Sequence, residues 1–197
     1  PVREGVPRRL ITVALLGVPY VGKTTLFHRL AGFSQSNWSW PGTAAEIKAG
    51  SYHRADRSYE IVQLPSVYSL AANSPDEQAV REYLLQGKPD VVVLVLSAVG
   101  PERGLYLVSE LLELPLRKLL AVNMMDDAAR SGTRIDFERL ELMTGMPVVQ
   151  LVASRGRGIP DLVDAIDRLV DGPSSPDSPR MKLGEPLDSL LSQVESC

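Results

Sequence analysis

A mostly parallel β-sheet flanked by helices is the fold class this sequence predicts, and three observations predict it. Segments with strand and helix character alternate from residue 10 to residue 170. The run Asp90-Val91-Val92-Val93-Leu94-Val95-Leu96 is apolar and rich in β-branched residues, which suits a central strand covered on both faces. The apolar run Leu10–Leu16 passes through Gly17-Val18-Pro19-Tyr20-Val21-Gly22-Lys23-Thr24 directly into a helix-forming segment, so strand, glycine loop and helix follow one another without a gap. Six strands are expected, one of them antiparallel.

The elements follow in order. After the strand Leu10–Leu16 comes a helix over Lys23–Ala31. Residues 32–42, rich in Ser, Asn and Trp and without a period, read as an exposed loop. Segments 45–52 and 58–64 flank the polar turn His53-Arg54-Ala55-Asp56-Arg57 and predict an antiparallel hairpin. A second irregular stretch covers 67–75, and Pro75-Asp76-Glu77 then opens a helix in which Ala79, Val80, Tyr83 and Leu84 repeat at helical spacing. Beyond the strand at 90–96 lie an amphipathic helix at 103–114, a short strand at 119–122, a helix at Phe137–Thr144, a strand at 148–152 and a closing helix at 159–170.

Composition narrows the function classes without naming one. The chain has 197 residues, 44% hydrophobic and 23% charged, enough for one well-buried core. Its 21 Lys and Arg are dispersed and the net charge is −3, which argues against a nucleic-acid surface. The single cysteine, Cys197, has no partner for an internal disulfide, so a reducing compartment is expected. The longest apolar run is of strand length, well short of the ~20 residues that span a bilayer. His28 and His53 stand too far apart in sequence, and too unaccompanied, to suggest a metal site.

The chemistry is concentrated in two motifs. In G-x-x-x-x-G-K-[ST], glycines let consecutive backbone N–H groups curl around phosphate oxygens. Gly17, Tyr20, Val21, Gly22, Lys23, Thr24 and Thr25 are therefore the expected phosphate-binding residues, with the Lys23 ammonium neutralising the terminal phosphates and the Thr24 hydroxyl reaching Mg²⁺. The second motif is Asn123-Met124-Met125-Asp126. In isolation N-x-x-D occurs in roughly four chains in ten of this length at average residue frequencies. Its position carries the meaning. At the carboxyl end of a buried strand, Asp126 can accept hydrogen bonds from N1–H and the 2-amino group of guanine, which adenine lacks. Guanine is the expected base.

In chain order, Gly17-Val18-Pro19-Tyr20-Val21-Gly22-Lys23-Thr24-Thr25-Leu26-Phe27, Trp40-Pro41-Gly42, Leu64-Pro65 with Tyr68-Ser69-Leu70, Glu102-Arg103-Gly104-Leu105-Tyr106-Leu107, Asn123-Met124-Met125-Asp126 and Gly156-Arg157-Gly158-Ile159 resemble one family. The chain looks like the cytosolic GTPase domain of bacterial ferrous iron transport protein B. The resemblance covers residues 10–170 and implies a P-loop GTPase domain at 10–171. A tail at 1–9 precedes it, and a Pro/Ser-rich linker with a short helix at 172–197 leads toward a membrane part that this chain does not include. The family's additional helical subdomain is expected to be absent, because the residues after 171 are few and polar. The resemblance further implies Mg²⁺ with GTP or GDP, and a partner in the C-terminal membrane domain of the same full-length protein, which would import Fe²⁺. That places the chain, soluble as given, on the cytoplasmic side of the cell membrane. Oligomeric state is left open, since mobile switch loops offer hinges through which protomers could exchange elements.

By the same resemblance Trp40, Pro41, Gly42, Thr43 and Ala44 form the first switch, and Gln63, Leu64, Pro65 and Ser66 the second. Asn123, Met124 and Asp126 are joined at the guanine by Val152, Ala153 and Ser154, which keep a backbone N–H for the guanine O6. Four positions depart from the family pattern. Gln63 replaces an Asp that holds a Mg²⁺-bound water, and Ser66 replaces a Gly that senses the γ-phosphate and resists the positive φ open to Gly. Ala44 stands where the family has a Mg²⁺-binding Thr, leaving Thr43 one residue early as the candidate second metal ligand. Tyr20 stands where potassium-activated members carry an Asn, which counts against K⁺ dependence.

Two functions of different class follow. One is a slow GTPase in which Lys23, Thr24 and the loop N–H groups stabilise charge on the phosphates. The other is a module that holds GDP or GTP with degenerate switches and little hydrolysis, since a ligand shifts a conformational equilibrium only by its differential affinity.

Overall fold

The computed structural model describes residues 10–32, 35–39 and 46–172, and of 35–39 the backbone alone. The expected tail at 1–9, the first-switch residues Trp40, Pro41, Gly42, Thr43 and Ala44, and the linker and helix expected beyond residue 172 lie outside the described residues. The first half runs β1 (Leu10–Leu16), α1 (Lys23–Ala31), β2 (Gln35–Ser39), β3 (Glu46–Arg54), β4 (Arg57–Gln63) and α2 (Pro75–Glu82). The second runs β5 (Val91–Ser97), α3 (Glu102–Leu112), β6 (Lys118–Asn123), α4 (Met125–Ser131), α5 (Phe137–Thr144), β7 (Val148–Gln150) and α6 (Ile159–Asp171).

The strands form one sheet in the order β2-β3-β4-β1-β5-β6-β7. All six expected strands are present, and β3 is the one that runs against the rest. The seventh, β2, corrects the reading of 32–42 as loop. Its polar residues carry no alternation, but an edge strand needs only backbone pairing, and β2 pairs with β3 from Gln35 opposite Gly50 to Ser39 opposite Glu46. The β3–β4 hairpin closes through Ala55-Asp56, where Ala55 takes the left-handed φ of 51° that a two-residue loop requires.

The sheet centre is apolar throughout. Val13 to Leu16 of β1 and Val91 to Leu96 of β5 are buried, as are Leu119 to Val122 of β6. Each buried Val or Leu contributes about 1.5–3 kcal/mol relative to exposure. Helix α1 packs on β1, β3 and β4, α3 on β5, and α6 on β5, β6 and β7. Gly104 lets α3 approach closely: a Cβ there would stand 2.3 Å from Leu96 Cδ2. The C-terminus of α3 is closed by a buried lysine. Lys118 Nζ donates to the carbonyls of Leu111 (3.0 Å), Leu112 (2.9 Å) and Leu114 (2.7 Å), and burial lowers its pKa to about 8.

Short polar devices set the remaining helices. The Ser74 hydroxyl accepts the Glu77 N–H at 3.2 Å, with Pro75 at the first turn of α2, whose end loosens into a π-turn over Tyr83–Gly87. Asp136 caps α5 by accepting the Arg139 N–H at 2.9 Å. Helix α4, which periodicity does not reveal because it is only seven residues long, opens at Met124 in the left-handed conformation with φ 65°.

The consequence for function is geometric. Strands β1, β4, β5 and β6 are parallel, so Gly17, Gln63, Ser97 and Asn123 emerge on the same edge of the sheet. Crevices at such carboxyl edges are where open α/β sheets bind ligands.

Candidate functional site

The loop from Gly17 to Gly22 leaves β1 and enters α1 without a side-chain cap, so the first N–H groups of α1 lack intrahelical acceptors. Gly22 sits in the left-handed region at φ 86°, and a Cβ on it would stand 2.2 Å from Asn123 Nδ2. Only glycine fits that approach. Lys23 is 4% exposed, and its Nζ donates to Gly17 O at 3.3 Å across the mouth of the loop. Desolvation pulls its pKa down to about 7, against the raising influence of Asp76. A charge held in so dry a place is satisfied far better by an anion than by one carbonyl. Tyr20 takes a φ of 68° and is 92% exposed.

Asn123 joins this loop to the base side. Its Nδ2 donates to Val21 O at 2.9 Å, and its Oδ1 accepts the Ala153 N–H at 2.9 Å. Both contacts are buried, so the amide spans the 3% exposed interior between two loops. Ala153, Ser154 and Arg155 form a 3₁₀ turn after β7, and Val152 is bridged to Arg157. The Ala153 N–H is therefore spent within the protein. Among the described residues the Ser154 N–H has no acceptor. Asp126, in the first turn of α4, is partly buried, with Oδ2 3.6 Å from Arg155 Nη2. A cavity of about 290 Å³ flanks the outer side of the loop, lined among others by Val18, Tyr20, Val21, Met124 and Asp127.

Of the expected metal donors, Thr43 lies outside the described residues and Thr24 is placed. Thr24 is exposed at the start of α1, and its Oγ1 accepts from Gln63 Nε2 at 3.1 Å. Among the described residues Gln63 Oε1 is buried and has no hydrogen-bond partner. The Gln63 amide turns its N–H side to the Thr24 hydroxyl, so of this pair the hydroxyl is the hard, neutral oxygen that fits Mg²⁺, and Gln63 adds no negative charge to it. Leu64 N bonds to Leu15 O at 3.1 Å, extending β4 past Gln63, and Ser66 is exposed without positive φ. Further on, Glu110 of α3 accepts both the Ser69 hydroxyl at 2.9 Å and the Leu70 N–H at 2.7 Å.

The glycine loop at the centre of this sheet order, with the Asn-x-x-Asp motif two strands away, defines a P-loop GTPase domain. A family model described as Ferrous iron transport protein B matches residues 11–166. The chain belongs to that family. It is 43% identical over 162 residues to the Fe(2+) transporter FeoB of Salmonella typhimurium, covering 80% of this chain and 21% of that protein. Against the Escherichia coli K12 transporter the identity is 41% over the same length and coverage. The chain thus spans about a fifth of the length of these relatives. Among solved structures, the G domain of the T. maritima FeoB iron transporter superposes with TM-score 0.77 at 37% identity, covering 83% of this chain and all of that one. The cytosolic domain of the same protein in GMPPNP form gives TM-score 0.80 at 36% identity, over 94% of this chain and 73% of that chain. The G domain from Methanococcus jannaschii gives 0.74 at 38%, over 83% and 99%.

Of the expected residues, the structure brings Gly17, Val21, Gly22, Lys23 and Thr24 together with Asn123 and Ala153 in one hydrogen-bonded unit, and sets Gln63 against Thr24. Met124 meets the Ser97 hydroxyl through its sulfur at 3.5 Å. Among the described residues no helix is long and apolar enough to cross a membrane. Sequence reasoning missed Arg29, Glu110 and Arg155. Each is a common charged residue whose partner lies 29 or more positions away, so no local spacing marks it.

Proposed function

We propose that this chain is the guanine-nucleotide-binding domain of a ferrous iron transporter, hydrolysing GTP slowly to GDP and phosphate and regulating a C-terminal membrane domain of the same protein from its cytoplasmic side. One observation carries the nucleotide reading: Asn123 ties the phosphate loop at Val21 to the base loop at Ala153, leaving Asp126 and the Ser154 N–H beside the same crevice. Relatives over this region are Fe(2+) transporters, and structures of the T. maritima relative include GDP and GMPPNP forms.

In this reading the N–H groups of Val21 to Thr25 and the Lys23 ammonium hold the phosphates, and phosphate binding restores the full charge of Lys23. Asp126 accepts from the N1–H and 2-amino group of guanine, and the Ser154 N–H donates to O6. Thr24 would hold Mg²⁺, with the neutral Gln63 side chain beside it; when bound, the ion neutralises phosphate charge. Hydrolysis is slow in this reading because Gln63 brings no anion to the Mg²⁺ water shell and Ser66 stands where a glycine N–H would meet the γ-phosphate.

A second reading is favoured by a specific contact. Gln63 is already bonded to Thr24, and Ser66 keeps a negative φ, so GTP has little to reorganise and the domain would hold either nucleotide alike. A single-turnover assay distinguishes the two, with protein in excess over GTP labelled separately on guanine and γ-phosphate, and with Mg²⁺ and either K⁺ or Na⁺. Retained guanine with phosphate release supports the GTPase. Retained guanine without release supports the holding module. Loss of both labels overturns nucleotide binding, and equal retention of labelled ATP overturns the base assignment.

A further inference from the structure

Arg29 lies on the exposed face of α1, six residues after Lys23, and reaches across to the turn that follows β7. Its Nε donates to Ala153 O at 3.1 Å, and its Nη2 donates to Ser154 O. The Ala153 carbonyl belongs to the same peptide plane as the Ser154 N–H. In a trans peptide these two groups point in opposite directions. The Gly156 N–H donates to the same carbonyl at 3.2 Å, and the guanidinium, adding a charged donor on that side and reaching the next carbonyl as well, holds the N–H on the other side. Asn123 fixes the preceding peptide through the Ala153 N–H. The turn is held from both ends, and the second holder sits on the helix that begins at the phosphate loop.

We propose that Arg29 is a positioning residue for the base: it aims the Ser154 N–H at the carbonyl oxygen on C6 of a guanine nucleotide. The inference rests on the guanine reading given above and adds the residue that sets its O6 contact. Two features make the role specific. The guanidinium is a rigid fork whose donors match two consecutive carbonyls, which a lysine ammonium cannot reproduce. A charge-assisted bond to the carbonyl also polarises the peptide and strengthens its N–H as a donor. Arg29 touches neither base nor phosphate in this arrangement, so its effect is confined to the acceptor at C6.

The test compares wild type, Arg29→Met and Arg29→Lys in equilibrium binding of GDP, 6-thio-GDP and inorganic pyrophosphate. 6-Thio-GDP keeps N1–H and the 2-amino group while replacing O6 with a weaker acceptor. Arg29→Met is expected to weaken GDP about tenfold, 6-thio-GDP by clearly less, and pyrophosphate not at all, with Arg29→Lys between wild type and Arg29→Met. Unchanged GDP affinity in Arg29→Met overturns the proposal. So does an equal loss for all three ligands, which would mark a general loosening of the domain. Wild type that binds GDP and ADP alike overturns the guanine reading and the aim of Ser154 with it, whereas a guanine-selective wild type with an indifferent Arg29→Met overturns the positioning role alone. Arg29 is solvent-exposed, and the Arg29→Lys variant keeps the charge should Arg29→Met fold poorly.

Discussion

Asn123 donates its side-chain amide to the carbonyl of Val21, 102 residues earlier in the chain, at 2.9 Å. The same side chain accepts from Ala153, so one buried amide closes both loops. Asn123→Ala leaves the Val21 carbonyl and the Ala153 N–H without partners. Two orphaned buried groups at about 1–3 kcal/mol each predict a loss of about 2–6 kcal/mol in urea unfolding. A loss below about 1 kcal/mol would mean that water replaces the amide.

Gln63 sets a neutral amide against Thr24 Oγ1, where a cation would be held, and among the described residues its Oε1 is buried without a partner. GDP binding by the wild-type chain should depend weakly on Mg²⁺. Gln63→Asp places an anion there and should lower the Mg²⁺ concentration needed for half-maximal GDP binding by about tenfold. Titrations with and without a chelator read this out, and identical Mg²⁺ profiles would place Gln63 beyond the ion's reach.

The β3–β4 hairpin is pinned to α6 by a ladder of polar contacts. Arg57 pairs with Asp167 at 3.0 Å and Asp171 at 2.6 Å, Arg54 pairs with Asp164 at 2.5 Å, and the hydroxyl of buried Tyr59 donates to Asp167 at 2.7 Å. Asp167→Ala strands that hydroxyl and should cost about 1–3 kcal/mol. Asp171 is more than half exposed, so Asp171→Ala should cost under about 1 kcal/mol and lose its effect in high salt. Equal costs for the two variants would contradict this ranking.

Lys118 gives the pH dependence a sign. Its pKa is lowered by burial from 10.5 to about 8, so below pH 8 the folded and unfolded chains both carry the proton. Between about 8 and 10.5 the unfolded chain holds a proton that the folded chain has released. Raising the pH through this window therefore favours folding. Unfolding free energies across it should rise for wild type relative to Lys118→Met, whose profile lacks this component. Parallel profiles would show that the carbonyls of α3 offset the desolvation.

The strand–loop–helix unit from Leu10 to Ala31 was legible because its signals are local: an apolar run, two glycines at fixed spacing and a helical repeat. Asp126 was legible only through its place after an apolar strand, since the short α4 that carries it has too few turns to show a period. Strand β2 left no trace for a different reason. Its stability comes from pairing with β3, and backbone hydrogen bonds leave side chains free to be polar.

By itself the sequence determined which motifs the chain carries: a glycine loop with Lys23 and Thr24, an Asn-x-x-Asp element, and Gln63 and Ser66 at the expected second switch. Tertiary structure alone decided how those pieces are held. Asn123 became a tie between loops, Arg29 a holder of the turn after β7, Glu110 an anchor for Ser69 and Leu70, and the Ser154 N–H a donor left open among the described residues. The physical reason is range. Backbone propensity and hydrophobic periodicity act over a few residues and are written along the chain, whereas these hydrogen bonds join positions 30 to 124 apart and exist only once the sheet has brought its carboxyl edge together.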